Sequence, residues 1–94
     1  MRQYETMYIL RPGAEEEATN EMVEKFKNVI ETQGGAVDRI ERWGKRKLAY
    51  EIDKEREGHY VLMYFKAAVP AVTELDRMFK ISGEVLRHII IRED

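Results

Sequence analysis

AVDRIERWGKRKLAYEI, residues Ala36–Ile52, is rich in β-branched and aromatic side chains, contains no proline and is far longer than an ordinary strand. Its apolar positions do not keep one alternation. Ile40, Leu48, Tyr50 and Ile52 share a parity, and Val37 and Trp43 fall on the other. A strand that changes face must bulge or twist, and Gly44 in its middle allows this at least cost. From Arg39 to Lys47 it carries five bases (Arg39, Arg42, Lys45, Arg46, Lys47) against one acid, Glu41, a local balance of +4. A long basic strand with a tryptophan and a glycine at its centre reads as a sheet edge. The charge there serves either to keep other edges off or to receive a docking partner.

Working outward, Gly34-Gly35 precedes this strand and stops a helix over Ala14–Thr32, because glycine accepts the left-handed conformation of a C-cap. Ala18, Met22, Phe26, Val29 and Ile30 recur at three- and four-residue spacing and predict the buried stripe of that helix. Glutamates at its start favour the positive end of the helix dipole. Before it, Tyr4–Leu10 reads as a strand closed by Arg11-Pro12-Gly13. On the other side, Asp53–Gly58 reads as a charged turn, and His59–Ala68 (HYVLMYFKAA) as a strand buried on both faces and hence central. Pro70 opens a second helix with Val72, Leu75 and Phe79 inward. Ser82-Gly83 ends that helix, and Val85–Arg92 is the last strand.

The order strand, helix, strand, strand, helix, strand, with right-handed crossovers, predicts an α+β, ferredoxin-like βαββαβ sandwich. Its four-stranded antiparallel sheet takes the order 4-1-3-2, with two helices on one face. The long basic strand then lies at an edge, and residues 1–94 form a single domain. The helices leave the other sheet face open. Tyr60, Leu62, Tyr64 and Lys66 lie on one side of the third strand and Val61, Met63 and Phe65 on the other, so either set could face outward. An exposed apolar patch of that size marks an interaction surface.

Net charge is −2, which argues against coating nucleic acid by bulk charge. The distribution is uneven, since Ala14–Glu31 carries six acids and two bases, a balance of −4 that offsets the basic strand. With no cysteine, disulfides and thiolate metal sites are excluded, and no apolar run reaches the ~20 residues of a membrane span. Ser82 is the one serine, and His59 and His88 sit on strands that are not neighbours, so neither nucleophilic catalysis nor a zinc site has material. The chain reads as a binding protein, without enzymatic activity, cofactor or metal.

Pairing of the first and last strands brings Arg2 near Arg92 at one end of the sheet, with Arg87 and Lys80, further along the same side, as further candidates for phosphate contacts. Such contacts position a protein without reading sequence, and so few of them imply help from a second protein. An RNA-recognition motif shares this topology, but Glu57–Tyr64 keeps only Gly58, Leu62 and Tyr64 of its third-strand pattern. A free-standing regulatory domain holding a small ligand on the open sheet face is the other reading.

The chain closely resembles the family of bacterial small-subunit ribosomal protein six over essentially its whole length. The resemblance is carried by Met1-Arg2-x-Tyr4-Glu5 and Arg11-Pro12, and by the run Trp43–Ile52 (WGKRKLAYEI). His59–Met63 and the close Ile89–Asp94 agree as well. It implies a structural protein of the small subunit of the cytoplasmic ribosome. Such a protein binds the central domain of the small-subunit ribosomal RNA as a heterodimer with small-subunit ribosomal protein eighteen. On this reading Arg2, Arg87 and Arg92 are expected to meet RNA, and Lys80 joins them from the topology argument above. Trp43–Tyr50 is expected to meet the partner, with Arg42, Trp43, Arg46, Leu48 and Tyr50 as the contacts. No membrane and no small-molecule substrate are implied.

Overall fold

Alternating apolar residues build the strands and two apolar stripes build the helices. In a computed structural model that describes residues 1–93, the elements are β1 (Arg2–Leu10), α1 (Glu16–Thr32), β2 (Ala36–Ile52), β3 (Glu55–Ala67), α2 (Val69–Ile81) and β4 (Val85–Arg92). Asp94, the last residue of the closing motif, lies outside the described residues. The four strands form one antiparallel sheet in the order β2-β3-β1-β4, the expected 4-1-3-2 read from its other edge.

The core lies between this sheet and the two helices. Tyr4, Thr6, Tyr8 and Leu10 of β1 and Val61, Met63, Phe65 and Ala67 of β3 point into it. From the helices come Val23, Phe26 and Ile30, and Ala71, Leu75 and Phe79. Tyr8, Phe26 and Phe79 form a three-ring cluster with centroids 4.6–5.1 Å apart, distances at which tilted and edge-to-face rings attract.

Three local expectations shift. The buried stripe of α1 is Thr19, Val23, Phe26 and Ile30, and Ala18 is exposed. Phe26 and Ile30 are buried as expected, Met22 and Val29 pack half-buried beside them, and only Ala18 falls outside the stripe. Val23 replaces the small Ala18 in the core, and the Thr19 hydroxyl is satisfied by donating to the Glu15 carbonyl at 3.2 Å. The first helical residue is Glu16 rather than Ala14.

The third shift is the largest. Asp53–Gly58 is not all turn: β3 begins at Glu55, and only Asp53-Lys54 turns the chain. Both have positive φ (48° and 67°), the pattern of a two-residue hairpin turn whose twist matches its strands. The charges hid a strand, because a hairpin that projects past the core has no need of apolar residues on both faces.

Gly34 and Gly35 close α1 as expected. Gly34 (φ +87°) donates to the Glu31 carbonyl and Gly35 to that of Ile30, the paired bonds of a Schellman cap. Gly35 also sits too close for a side chain, since a Cβ there would lie 2.7 Å from both Ile30 Cγ2 and the Lys66 carbonyl.

Candidate protein and nucleic-acid interface

The basic edge strand works through its irregularities. Val37 pairs with Phe65 but Arg39 with Tyr64, leaving Asp38 as an extra residue; Arg42 pairs with Val61 but Gly44 with Tyr60, leaving Trp43 extra. Each insertion switches which parity faces the helices. Val37 and Ile40 thus both turn toward the core, although their parities differ. After the second bulge Leu48 and Tyr50, of the same parity as Ile40, turn to the open face. Gly44 takes the positive φ (+78°) that the bulge needs.

On the open face the long cations lie over aromatic rings. The Arg39 guanidinium sits 4.1 Å from the Tyr64 centroid and that of Arg46 lies 5.4 Å from Trp43. Glu41 binds the group together, accepting from Trp43 Nε1 at 3.2 Å and Arg39 Nε at 2.9 Å. Those hydrogen bonds, Trp43's first, hold its carboxyl below the usual carboxylate range. Further along, a Cβ at Gly58 would meet Ile9 Cγ2 at 2.2 Å and Leu48 Cδ2 at 3.6 Å, so Leu48 and Ile9 close over that glycine. The Tyr50 hydroxyl accepts from Arg87 Nη1, with the guanidinium 5.4 Å from its ring.

Four of the five expected partner contacts, Trp43, Arg46, Leu48 and Tyr50, therefore share one face. Trp43 is 45% exposed and Tyr50 58%. Arg42 does not join them. It lies on the helix side of the bulge, bonded to Asn20 and, at 3.2 Å, to Glu16 of α1. It also donates to His59 Nε2 at 3.4 Å. Burial, then the adjacent Arg42 cation, push the His59 imidazole below its ordinary value, which suits its role as acceptor.

The four expected RNA contacts divide into two pairs. Tyr4 pairs with Arg92, and Glu93 donates to the Gln3 carbonyl at 2.9 Å, so Arg2 and Arg92 occupy one end of the sheet as expected. Arg87 and Lys80 lie toward the other end, and on opposite sides. Arg87 is on the open face with Tyr50. Lys80 is on α2, 2.8 Å from Asp76, which also meets His88 Nε2 at 2.8 Å. The spacing along β4 already separates Arg87 from Arg92, because five residues apart on a strand means opposite faces as well as opposite ends.

Ile89 (45% exposed) and Ile91 (47%) extend the open face onto β4 and were not singled out from the sequence. The alternation in VLRHIIIR held the signal: His88 and Ile90 are half-buried toward the helices, and the odd positions face away. The concavity between Met7, Ile9, Arg87, His88 and Ile89 holds only about 40 Å³. A wider depression of about 400 Å³ at the margin is lined mainly by polar groups, Gln3, Asp38, Arg39 and Glu93 around Tyr64. Among the described residues no cluster of three or more His, Cys, Asp or Glu could hold a metal, and no helix is long and apolar enough to cross a membrane.

Comparison with known proteins adds an independent line. The family model for "Ribosomal protein S6" matches residues 3–92. The chain is 56% identical over 94 residues to small ribosomal subunit protein bS6 of Carboxydothermus hydrogenoformans, covering all of this chain and 98% of that one. It is 55% identical over 93 residues to the protein of the same name from Desulforamulus reducens, covering 99% and 98%. Its fold superimposes on the crystal structure of 30S ribosomal protein S6 from Thermotoga maritima with a TM-score of 0.93 at 38% identity, covering 98% of this chain and 87% of that one. The chain belongs to the ribosomal protein S6 family, a structural and non-enzymatic component of the small subunit of the bacterial cytoplasmic ribosome.

Proposed function

We propose that this chain binds the central domain of small-subunit ribosomal RNA cooperatively with small-subunit ribosomal protein eighteen, as a heterodimer. The observation that carries this reading is the uncovered sheet face. There Trp43, Tyr50, Ile89 and Ile91 are about half exposed, interleaved with Arg39, Arg46 and Arg87. A protein interface takes its binding energy from a few buried aromatic and arginine anchors within a polar rim, and this face supplies both. Arg42, turned toward α1, drops out of the contact set.

Arg2 and Arg92 at one end of the sheet, and Arg87 and Lys80 toward the other, are the proposed phosphate contacts. With a net charge of −2 and bases this dispersed, the chain alone attracts RNA weakly, and a partner supplies the remainder. A small-ligand site is disfavoured, because the apolar concavity between Met7, Ile9 and Ile89 holds only about 40 Å³, far below the ~300 Å³ of a typical ligand pocket, and the wider depression beside Tyr64 is lined mainly by polar groups.

The test is binding to a central-domain RNA fragment across a salt series, with and without the partner protein. Tight binding only with both proteins present is expected. Replacing Arg92 with alanine is expected to make the log–log salt slope shallower by about one unit, the counterions released at one phosphate. Tight binding by this chain alone would sink the cooperative reading.

A further inference from the structure

The last residue of β1 that pairs with β3 is Leu10, opposite His59. Beyond it β2 and β3 pair only with each other, at Lys47 opposite Glu57 and, after a third register shift, at Ile52 opposite Glu55. Residues 47–57 thus form an arm without sheet neighbours, and it carries Leu48 and Tyr50 over the open face. A free two-stranded hairpin is marginal in water, so something must fix its direction.

Arg11 meets that need. Its backbone N–H donates to the Glu84 carbonyl at 2.9 Å, and its Nε to the Gly83 carbonyl at 2.8 Å, tying it to the α2–β4 loop. The two remaining nitrogens reach the arm. Nη2 lies 3.1 Å from Asp53 Oδ2 in the turn, and Nη1 lies 3.5 Å from Glu55 Oε2. The side chain is only 31% exposed, so these contacts are partly sheltered from solvent. One planar guanidinium spans the body on its Nε and the arm on its two ends. Lysine, a point charge on a flexible stem, cannot hold three such directions at once.

We infer that Arg11 is a positioning residue: it clamps the arm tip to the α2–β4 loop, and so presents Leu48 and Tyr50 to the partner protein without touching it. The inference rests on the partner reading given above for what the arm binds, and on the contacts of Arg11 for how the arm tip is held, with Arg87 holding Tyr50 further back on the open face.

The experiment compares wild type with Arg11→Lys and with the double variant Asp53→Asn, Glu55→Gln. The double variant cuts only the arm side of the clamp and keeps side-chain shape. Asparagine also tolerates the positive φ at 53. Amide hydrogen exchange of the free proteins is read for residues 47–57 against Tyr4–Tyr8 as the core reference, and partner affinity is measured alongside. The expected result is arm exchange accelerated by about tenfold relative to the core reference, with weaker partner binding. Arm exchange unchanged, or rising only in step with the core, overturns the clamp. A loosened arm with full partner affinity supports the clamp and removes the arm from the proposed partner interface. The two failures are therefore separable.

Discussion

The two faces of the same sheet differ in how they are closed. Toward the helices, Tyr8, Phe26, Val61, Met63, Phe65, Leu75 and Phe79 fill the space between sheet and helices to the near exclusion of water. Polar groups are few there, and Thr6 is satisfied by donating to the Ile89 carbonyl at 2.6 Å. Away from the helices, apolar rings stay half exposed and are covered by the protein's own cations, Arg39 on Tyr64, Arg46 on Trp43 and Arg87 on Tyr50. Long charged stems can cover apolar surface while their heads stay in water, and they can be moved aside. One face is therefore closed by volume and the other by removable charge. Stability should reside in the first and binding in the second.

The comparison breaks most visibly if large truncations do not sort by face. Phe26→Ala removes the ring shared by Tyr8 and Phe79, and should cost about 3–5 kcal/mol of stability in urea unfolding. Trp43→Ala on the other face should cost under about 1 kcal/mol of stability yet more than about 2 kcal/mol of partner binding. Adding Arg46→Glu should abolish measurable binding of the partner with the fold intact by circular dichroism. An unfolded double variant, or one that still binds, would mean that this face also carries the fold.

Smaller changes sharpen the contrast. The Tyr8 hydroxyl is buried without a hydrogen-bond partner, and burial pushes its pKa well above the ordinary value. Tyr8→Phe should therefore raise the unfolding free energy by up to about 1 kcal/mol, seen as a higher urea midpoint, because it removes an unmet desolvation cost. The smallest effect concerns Asp76, whose carboxyl is held below its ordinary value of 3.8 by hydrogen bonds from Lys80 and then His88. A depressed carboxylate stabilises the fold above its unfolded pKa, and that contribution is lost as pH falls through the lower folded value. Asp76→Asn should thus weaken the protein at neutral pH by about 0.3–0.5 kcal/mol, with the gap to wild type narrowing below pH ~4. A gap that widened in acid would reverse the sign of this assignment.

Much of the fold was legible because its signals are local. Gly34-Gly35 could only end a helix, Pro70 could only begin one, and Gly44 marked where the edge strand changes face. The hairpin turn was misjudged because Asp53–Glu57 is charged throughout and Gly58 follows it, and charge marks solvent equally well in a turn and in a projecting strand. The site was partly legible: Trp43, Arg46, Leu48 and Tyr50 converge, whereas Arg42 and Lys80 face the helix layer.

The sequence by itself determined the order of elements, the edge position of the basic strand and the family, since periodicity, turn chemistry and motif need no knowledge of distant residues. Only the tertiary structure decided which face each set of side chains takes. On β3, Val61-Met63-Phe65 and Tyr60-Leu62-Tyr64 are almost equally apolar, so hydrophobicity could not choose between them. On β2 the register shifts at Asp38 and Trp43 decided it, since one inserted residue reverses the side chains up to the next shift, which comes between Lys47 and Ile52. Arg11 gained its place in the same way. Its partners at 53, 55 and 83 are far off in sequence, and the hairpin and the α2–β4 loop come within one guanidinium's reach only in the folded chain.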